Sequence, residues 1–440
     1  MRVLMWRVMA IIVGSQLAAS AKAEASRIKA PVGISDNHRY FVDGNGNPCF
    51  WLGDTQWELF LAVKSDEAQA IMKDRQKKGF NAIQVMLLGV GGGKKANVAG
   101  ERPFLNDDVS TPNEAYFRNV DTVVETAERL SLVLVIGIYH KAPDSRKMII
   151  ERNARAYGAW IGRRYREAPN VIWSMYPEAK PEYVPVVREL AAGLAEGDGK
   201  RHLITVHPDP GPASSSWIHE ESWLSFNTLQ TWTSDYLNHS MVAADYARTP
   251  VKPALNGEAR YEAEDNTTPL MVRRGAYWSV LGGGFYSFGH GGNWMKPADW
   301  KKWLDSPASQ QMTILRAFFE TLDWWSLVPD REILGKEFDF QATKRIPILR
   351  AIFRALDWWS RVPVAARSSN RTWAVVYFPI RKSVDVKLDA VNAMRSATAT
   401  WMNPATGRTQ AAGQISVKGT RSFKPPEGWE DAILVLRAAP

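Results

Sequence analysis

The chain reads as a (β/α)8 TIM barrel followed by a small C-terminal antiparallel β-sandwich, and three observations carry that reading. Eight short apolar runs alternate with helix-periodic stretches between residues 39 and 290. The runs are continuous in hydrophobicity, as parallel strands covered on both faces must be. Eight such repeats in about 250 residues is the size of this barrel, and a length of 440 leaves room for a second domain.

In order, the strand-like runs are Cys49–Leu52, Ala82–Leu88, Val133–Tyr139, Val171–Met175, Leu203–Val206, Ser225–Leu229, Pro253–Asn256 and Gly284–Phe288. Amphipathic stretches between them include Ser65–Lys78, Asn113–Leu130, Ile149–Arg166 and Tyr183–Ala195. Ser65 is placed to cap the first of these, and Gly79 to end it in left-handed geometry. A doubly wound open sheet would call for a glycine-rich nucleotide loop after its first strand, and Gly53-Asp54-Thr55 is not one. Gly91-Gly92-Gly93-Lys94-Lys95 lacks the hydroxyl residue that follows the lysine of a phosphate loop, so a flexible loop at the barrel rim is expected there. After the barrel, Ile314–Phe319, Asp323–Ser326 and Val328-Pro329 recur 34 residues later as Ile348–Phe353, Asp357–Ser360 and Val362-Pro363. Two copies are too few for a solenoid, and a local duplication at a domain junction is expected. From Val364 the pattern turns to short strands at Trp373–Tyr377, Ser383–Leu388, Ala397–Met402 and Ala432–Leu436, with a turn cluster at Asn403–Gly407. The expected organisation is a leader over 1–23, the barrel over 24–345, the junction over 346–363 and the sandwich over 364–440.

The leader reading rests on Arg2 and Arg7, the apolar core Val8–Val13 and the small-x-small site Ala21-Lys22-Ala23. That core is too short to span a bilayer. An exported protein, periplasmic or extracellular and without membrane insertion, is therefore expected. Cys49 is the single cysteine, which rules out an internal disulfide and fits a buried inert thiol. The net charge of +9 falls to +6 once the leader's three basic residues are removed. This excess is spread along the chain with no basic stripe, which argues against a nucleic-acid partner. Nineteen tryptophans supply many flat apolar faces of the kind on which sugar rings stack.

Two carboxylates stand out against this frame. Glu178 follows the fourth strand-like run and Glu258 the seventh, so both emerge at one rim of the barrel. A carboxylate pair placed this way can cleave a glycosidic bond, one group as acid/base and the other as nucleophile. Asp54 and Trp57 after the first run, His140 after the third, Gln230 and Trp232 after the sixth and His290 after the eighth are expected to complete a carbohydrate site. Asp54 is read either as a ligand for sugar hydroxyls or as a helix cap. Arg260 or Tyr261 is expected to hold the charge of an ionised Glu258. No histidine or acidic group has metal-ligand spacing and no Gly-x-Ser-x-Gly elbow appears, so no cofactor is expected.

Arg39–Asp43, then Phe50-Trp51-Leu52-Gly53-Asp54-Thr55-Gln56-Trp57, and Lys78–Gln84 together resemble the opening of the apiosidase-like glycoside hydrolases. Ala276–Ser279 through Tyr286–His290 is similar to that family's eighth-strand motif, and the tail from Val364 to its accessory module labelled collagen-binding. The resemblance covers residues 36–440. It implies a retaining glycosidase that acts on plant cell-wall polysaccharide, notably apiose-containing pectin side chains, with acid/base after strand four and nucleophile after strand seven. Glu258 matches the nucleophile position. At strand four this chain has Tyr176-Pro177-Glu178 where the family has Gly-Gly-Asp, so Glu182 is kept as a substitute acid. The rival from another class is a carbohydrate-binding protein on a degenerate barrel. The accessory module is expected to brace the barrel rather than to bind tissue.

Overall fold

A computed structural model describes residues 28–178, 181–232, 235, 237–292, 294–295, 299–335, 358–392 and 396–438, without the side chains of Pro177, Glu178, Pro181, Trp358 and Trp359. The leader and the second repeat copy Ile348–Phe353 lie outside the described residues. Eight parallel strands form the barrel: β1 (Leu52–Thr55), β2 (Ala82–Met86), β3 (Val133–His140), β4 (Val171–Glu178), β5 (Ile204–Pro208), β6 (Asn227–Gln230), β7 (Ala254–Glu258) and β8 (Phe285–Phe288). Each strand pairs with its neighbours in chain order except β5 with β6, and β8 returns to β1 with Ser287 opposite Gly53. Between β5 and β6 the circle is closed by the Ser225 N–H donating to the Ile204 carbonyl at 2.8 Å. Phe41, from the two-residue hairpin Gly33–Ile34/Phe41–Val42, packs on Trp51, Phe226 and Phe285 and plugs the N-terminal end of the barrel.

β1 begins three residues later than its apolar run. The Phe50 carbonyl and the Leu52 N–H are taken by the side-chain amide of Asn81, so the ladder starts only beyond them. β3, β4 and β7 run on past their apolar cores, which makes His140, Glu178 and Glu258 strand-terminal residues.

The main helices are α1 (Ser65–Lys77), α2 (Glu114–Arg129), α3 (Glu151–Arg164), α4 (Val184–Asp198), α5 (Leu237–Tyr246), α6 (Pro269–Leu281) and α7 (Pro307–Phe319). Among the described residues no helix is long and apolar enough to cross a membrane. Lys64, not Ser65, is the cap of α1, and its N–H is accepted by the Glu67 carboxylate at 3.1 Å. Asn113 caps α2 by accepting from the Ala115 N–H. Helices α3 and α4 approach closely through Gly158, Gly162, Gly193 and Gly197. A Cβ at Gly193 would sit 2.1 Å from the Arg155 carbonyl oxygen.

The C-terminal region is antiparallel. Its strands are β9 (Leu327–Pro329), β10 (Val364–Ser368), β11 (Trp373–Phe378), β12 (Val384–Lys387), β13 (Ala397–Met402), β14 (Thr409–Ile415), β15 (Thr420–Phe423) and β16 (Ala432–Ala438). Six of them form one sheet in the order β9-β10-β11-β16-β13-β14, and β12 and β15 form a separate two-stranded sheet. The edge strand β9 precedes the repeat junction in sequence, so this sheet recruits chain from before residue 346. One face shares a core with the barrel: Tyr377 stacks on Tyr277 of α6, with ring centroids 5.2 Å apart. Beneath that stack Arg273 of α6 is paired with Asp431 at 2.7 Å, both fully buried, and Asp431 also accepts from the Tyr377 hydroxyl.

Candidate active site

The ends of β3, β4, β5, β6 and β7 deliver His140, Glu178, Pro208, Gln230 and Glu258 to one rim. A cavity of about 300 Å3 lies there, at the lower end of the ~300–1,000 Å3 typical of ligand pockets. One wall is apolar: Trp57, Met86 and Tyr176 pack together, with Val90 and Trp294 against them. Glu258, Gln230, Tyr261, His140 and Lys141 bring the polar groups, and Trp232 adds a further aromatic face.

Glu258 is held from several directions. The Tyr176 hydroxyl donates to its Oε2 at 2.5 Å. Tyr261 makes a second hydrogen bond to the carboxylate and is itself steadied by the Trp57 indole N–H donating to its oxygen at 2.9 Å. The backbone one residue earlier is fixed from across the barrel, where the Gln84 amide donates to the Gly257 carbonyl at 2.6 Å. Burial pushes the Glu258 carboxyl up to about 7. The two phenols pull it down, the Glu264 charge adds to the rise, and Lys141 opposes it. Glu258 is thus partly protonated at neutral pH, where the sequence reading asked for a permanently ionised group.

The Tyr176 ring contacts two imidazoles, stacked on His140 at 5.3 Å and tilted by 33° against His207 at 4.0 Å. Both histidines are neutral at physiological pH: burial lowers His140 to about 4, aided by the Lys141 charge, and His207 to about 3. Nδ1 of His140 accepts from the Ala142 N–H, which leaves Nε2 of that ring as its donor.

Six of the expected residues meet at the cavity: Glu258, Trp57, His140, Gln230, Trp232 and Tyr261. For Glu178 the backbone ends β4 opposite Pro208, and the side chain lies outside the described residues. Three others do not line the cavity. Asp54 turns outward to the helix layer, where its Oδ2 accepts from Arg75 Nε at 2.7 Å and from Gln56 at 2.8 Å. It is neither a sugar ligand in this arrangement nor a helix cap. Arg260 is committed to Asp235 at 2.9 Å rather than to Glu258. Nδ1 of His290 accepts from the Gly292 N–H, and its ring packs on Trp303 at 4.9 Å, bracing the loop after β8. Glu182 lies exposed on the short turn Pro181–Tyr183.

Tyr176, His207, Lys141, Met86, Glu264 and Trp294 belong to the site or its support without having been expected there. Strand-end position was a usable signal for Tyr176, His207 and Lys141. Trp294 and Glu264 come from irregular loops with no periodicity to read.

Cys49 is a bystander: it is buried, burial pushes its thiol up to about 12, and its nearest partners are Asn81 and the Lys29 carbonyl.

Residues 35–326 match the profile of the family described as "Apiosidase-like, catalytic domain". Residues 359–437 match "Putative collagen-binding domain of a collagenase". No protein of curated function matches the sequence. Among solved structures, a protein titled glycoside hydrolase is similar with a TM-score of 0.80 and 23% identity, over 93% of this chain and 97% of that one. A glycoside hydrolase family 5 protein from Bacteroides vulgatus is similar with a TM-score of 0.82 and 24% identity, over 93% of both chains. At such identities these two likenesses speak for the fold, while the profile match spans about two thirds of the sequence and coincides with the barrel and its carboxylate-bearing rim. The chain belongs to the apiosidase-like family and is a glycoside hydrolase.

Proposed function

We propose that the protein is exported and cleaves a plant cell-wall-type polysaccharide or oligosaccharide by retaining double displacement, with Glu258 as nucleophile and Glu178 as acid/base. The observation that carries this reading is the setting of Glu258: a buried carboxylate at the end of β7, facing a cavity and gripped by two phenol hydroxyls. In the first step ionised Glu258 attacks the anomeric carbon while Glu178 protonates the departing glycosidic oxygen, so the C–O bond breaks and a glycosyl ester forms. In the second, Glu178 takes a proton from water, the water oxygen attacks the same carbon, and Glu258 leaves as carboxylate. The apolar wall of Trp57 and Met86 suits the C–H face of a sugar ring, and Gln230, His140 and Lys141 suit its hydroxyls. The C-terminal sheet serves as a brace, because its core and the Arg273–Asp431 pair are continuous with the barrel.

A second reading, a glycan-binding protein without turnover, draws on Tyr176. The family has glycine at this position, and here a phenol occupies Oε2 of the nucleophile. One assay separates the two: hydrolysis of aryl glycosides and pectic oligosaccharides by wild type, Glu178→Gln and Glu258→Gln. Activity falling by orders of magnitude in both variants supports the glycosidase. Activity that survives Glu178→Gln moves the acid role to Glu182. Glycan binding with no turnover in wild type supports the second reading.

A further inference from the structure

Behind the cavity, Nε2 of His207 is a buried nitrogen with no hydrogen-bond partner. The other side of the ring settles its tautomer, because Nδ1 lies 3.1 Å from the Pro208 carbonyl oxygen and a carbonyl only accepts. Nδ1 therefore carries the hydrogen, and Nε2 presents a bare lone pair. Nε2 lies 3.5 Å from Oε2 of Glu258, a gap too short for a water molecule in line between them. Two acceptors turned on each other in a buried site repel unless a proton lies between them. The ring is held by Tyr176 in a tilted contact at 4.0 Å and by Trp57 at 5.8 Å in an edge-on contact.

We propose that His207 and Glu258 hold one proton in common in the resting protein, Glu258 donating it to Nε2, and that His207 is thereby a positioning residue for this carboxyl group. The catalytic meaning rests on the reading of Glu258 as nucleophile; the shared proton does not. Loss of this proton to solvent frees the carboxylate for attack. The groups facing the pair are Tyr176 from β4, Tyr261 and Glu264 after β7, and His140 and Lys141 at the end of β3; Glu178 ends β4 beside Pro208 in the backbone. Burial assigns the proton to Glu258, since it favours the neutral carboxyl and the neutral imidazole alike. The pair titrates as a unit, so its apparent pKa belongs to both residues.

The test is a pH series of long-range 1H–15N correlations from the imidazole rings of the 15N-labelled full chain, between pH 5 and 9. The His207 signal is the one missing from His207→Gln, or is found by through-bond assignment if that variant does not fold. The expected result is an Nδ1–H tautomer throughout, with the Nε2 resonance shifting toward its hydrogen-bonded position as pH falls through about 7. That step should vanish in Glu258→Gln. An Nε2–H tautomer, or an Nε2 resonance that does not move with pH in wild type, would overturn the proposal. In the active enzyme, His207→Gln supplies a permanent amide donor, and the acid limb of kcat/KM should move to lower pH. A protein without turnover still yields the titration, so failure of the proposal and failure of the glycosidase reading are distinguishable.

Discussion

Replacing Glu258 by glutamine should make the protein more stable at alkaline pH while removing its activity. Burial raises the carboxyl from an ordinary 4.5 to about 7 in the folded chain. Below about pH 4.5 the group is protonated in both folded and unfolded states and contributes no difference. As pH rises from there, the unfolded chain gives up its proton while the folded chain keeps it, so folding is progressively penalised. Above about pH 7 both states are ionised and the penalty is complete. At 1.36 kcal/mol per pKa unit it amounts to about 3 kcal/mol. Glutamine has nearly the same shape, carries no charge, and can still accept from Tyr176 while turning its amide toward His207. Urea or thermal unfolding at pH 5 and pH 8 is the assay. The variant should gain on wild type by about 3 kcal/mol at pH 8 and by under ~1 kcal/mol at pH 5. A gain that does not grow with pH, or a loss at pH 8, would refute the reasoning.

Tyr176→Phe removes the 2.5 Å hydrogen bond to Glu258, the proposed nucleophile. A bond to a charged group contributes about 1.5–3 kcal/mol, so kcat/KM should fall roughly ten- to hundredfold, and the acid limb of its pH profile should move upward. Asp431→Ala takes from the buried Arg273 guanidinium its only buried counter-ion among the described residues and leaves it the exposed Glu430 at 3.4 Å. The loss should be about 3–5 kcal/mol in thermal unfolding, and the double change Arg273→Met/Asp431→Leu should recover most of it. Gly193→Ala places a Cβ 2.1 Å from the Arg155 carbonyl oxygen. It should lower stability by at least about 1–3 kcal/mol and leave KM unchanged. Asp54→Asn should likewise lower the melting temperature, since it leaves the buried Arg75 with only the half-buried Asp74 as a charge partner, while substrate KM stays at the wild-type value because the side chain faces α1.

The barrel was legible in the sequence because its signal is local. Continuous apolar runs, helix periodicity between them and their spacing all survive in one dimension. Counting those runs brought Glu258, Trp57, His140, Gln230, Trp232 and Tyr261 to one rim without any contact being known. What the pattern lacked was direction. Asp54 and Thr55 are neighbours on β1, yet Asp54 reaches outward to Arg75 while Thr55 receives the Gln84 amide on the inside. In strands of four or five residues with every position buried, no polar alternation marks which face is which.

Tertiary structure decided the partners as well. Arg260 is two residues from Glu258 and pairs with Asp235 instead, while Tyr176, 82 residues away in sequence, donates to Glu258. The sequence by itself determined the fold class, the rim and the glutamate of β7, because periodicity and residue type encode burial and strand ends. Only the folded chain decided the charge state of that glutamate and the fusion of the second sheet to the barrel through Arg273 and Asp431. Both depend on distances between side chains that the chain brings together only when its core closes.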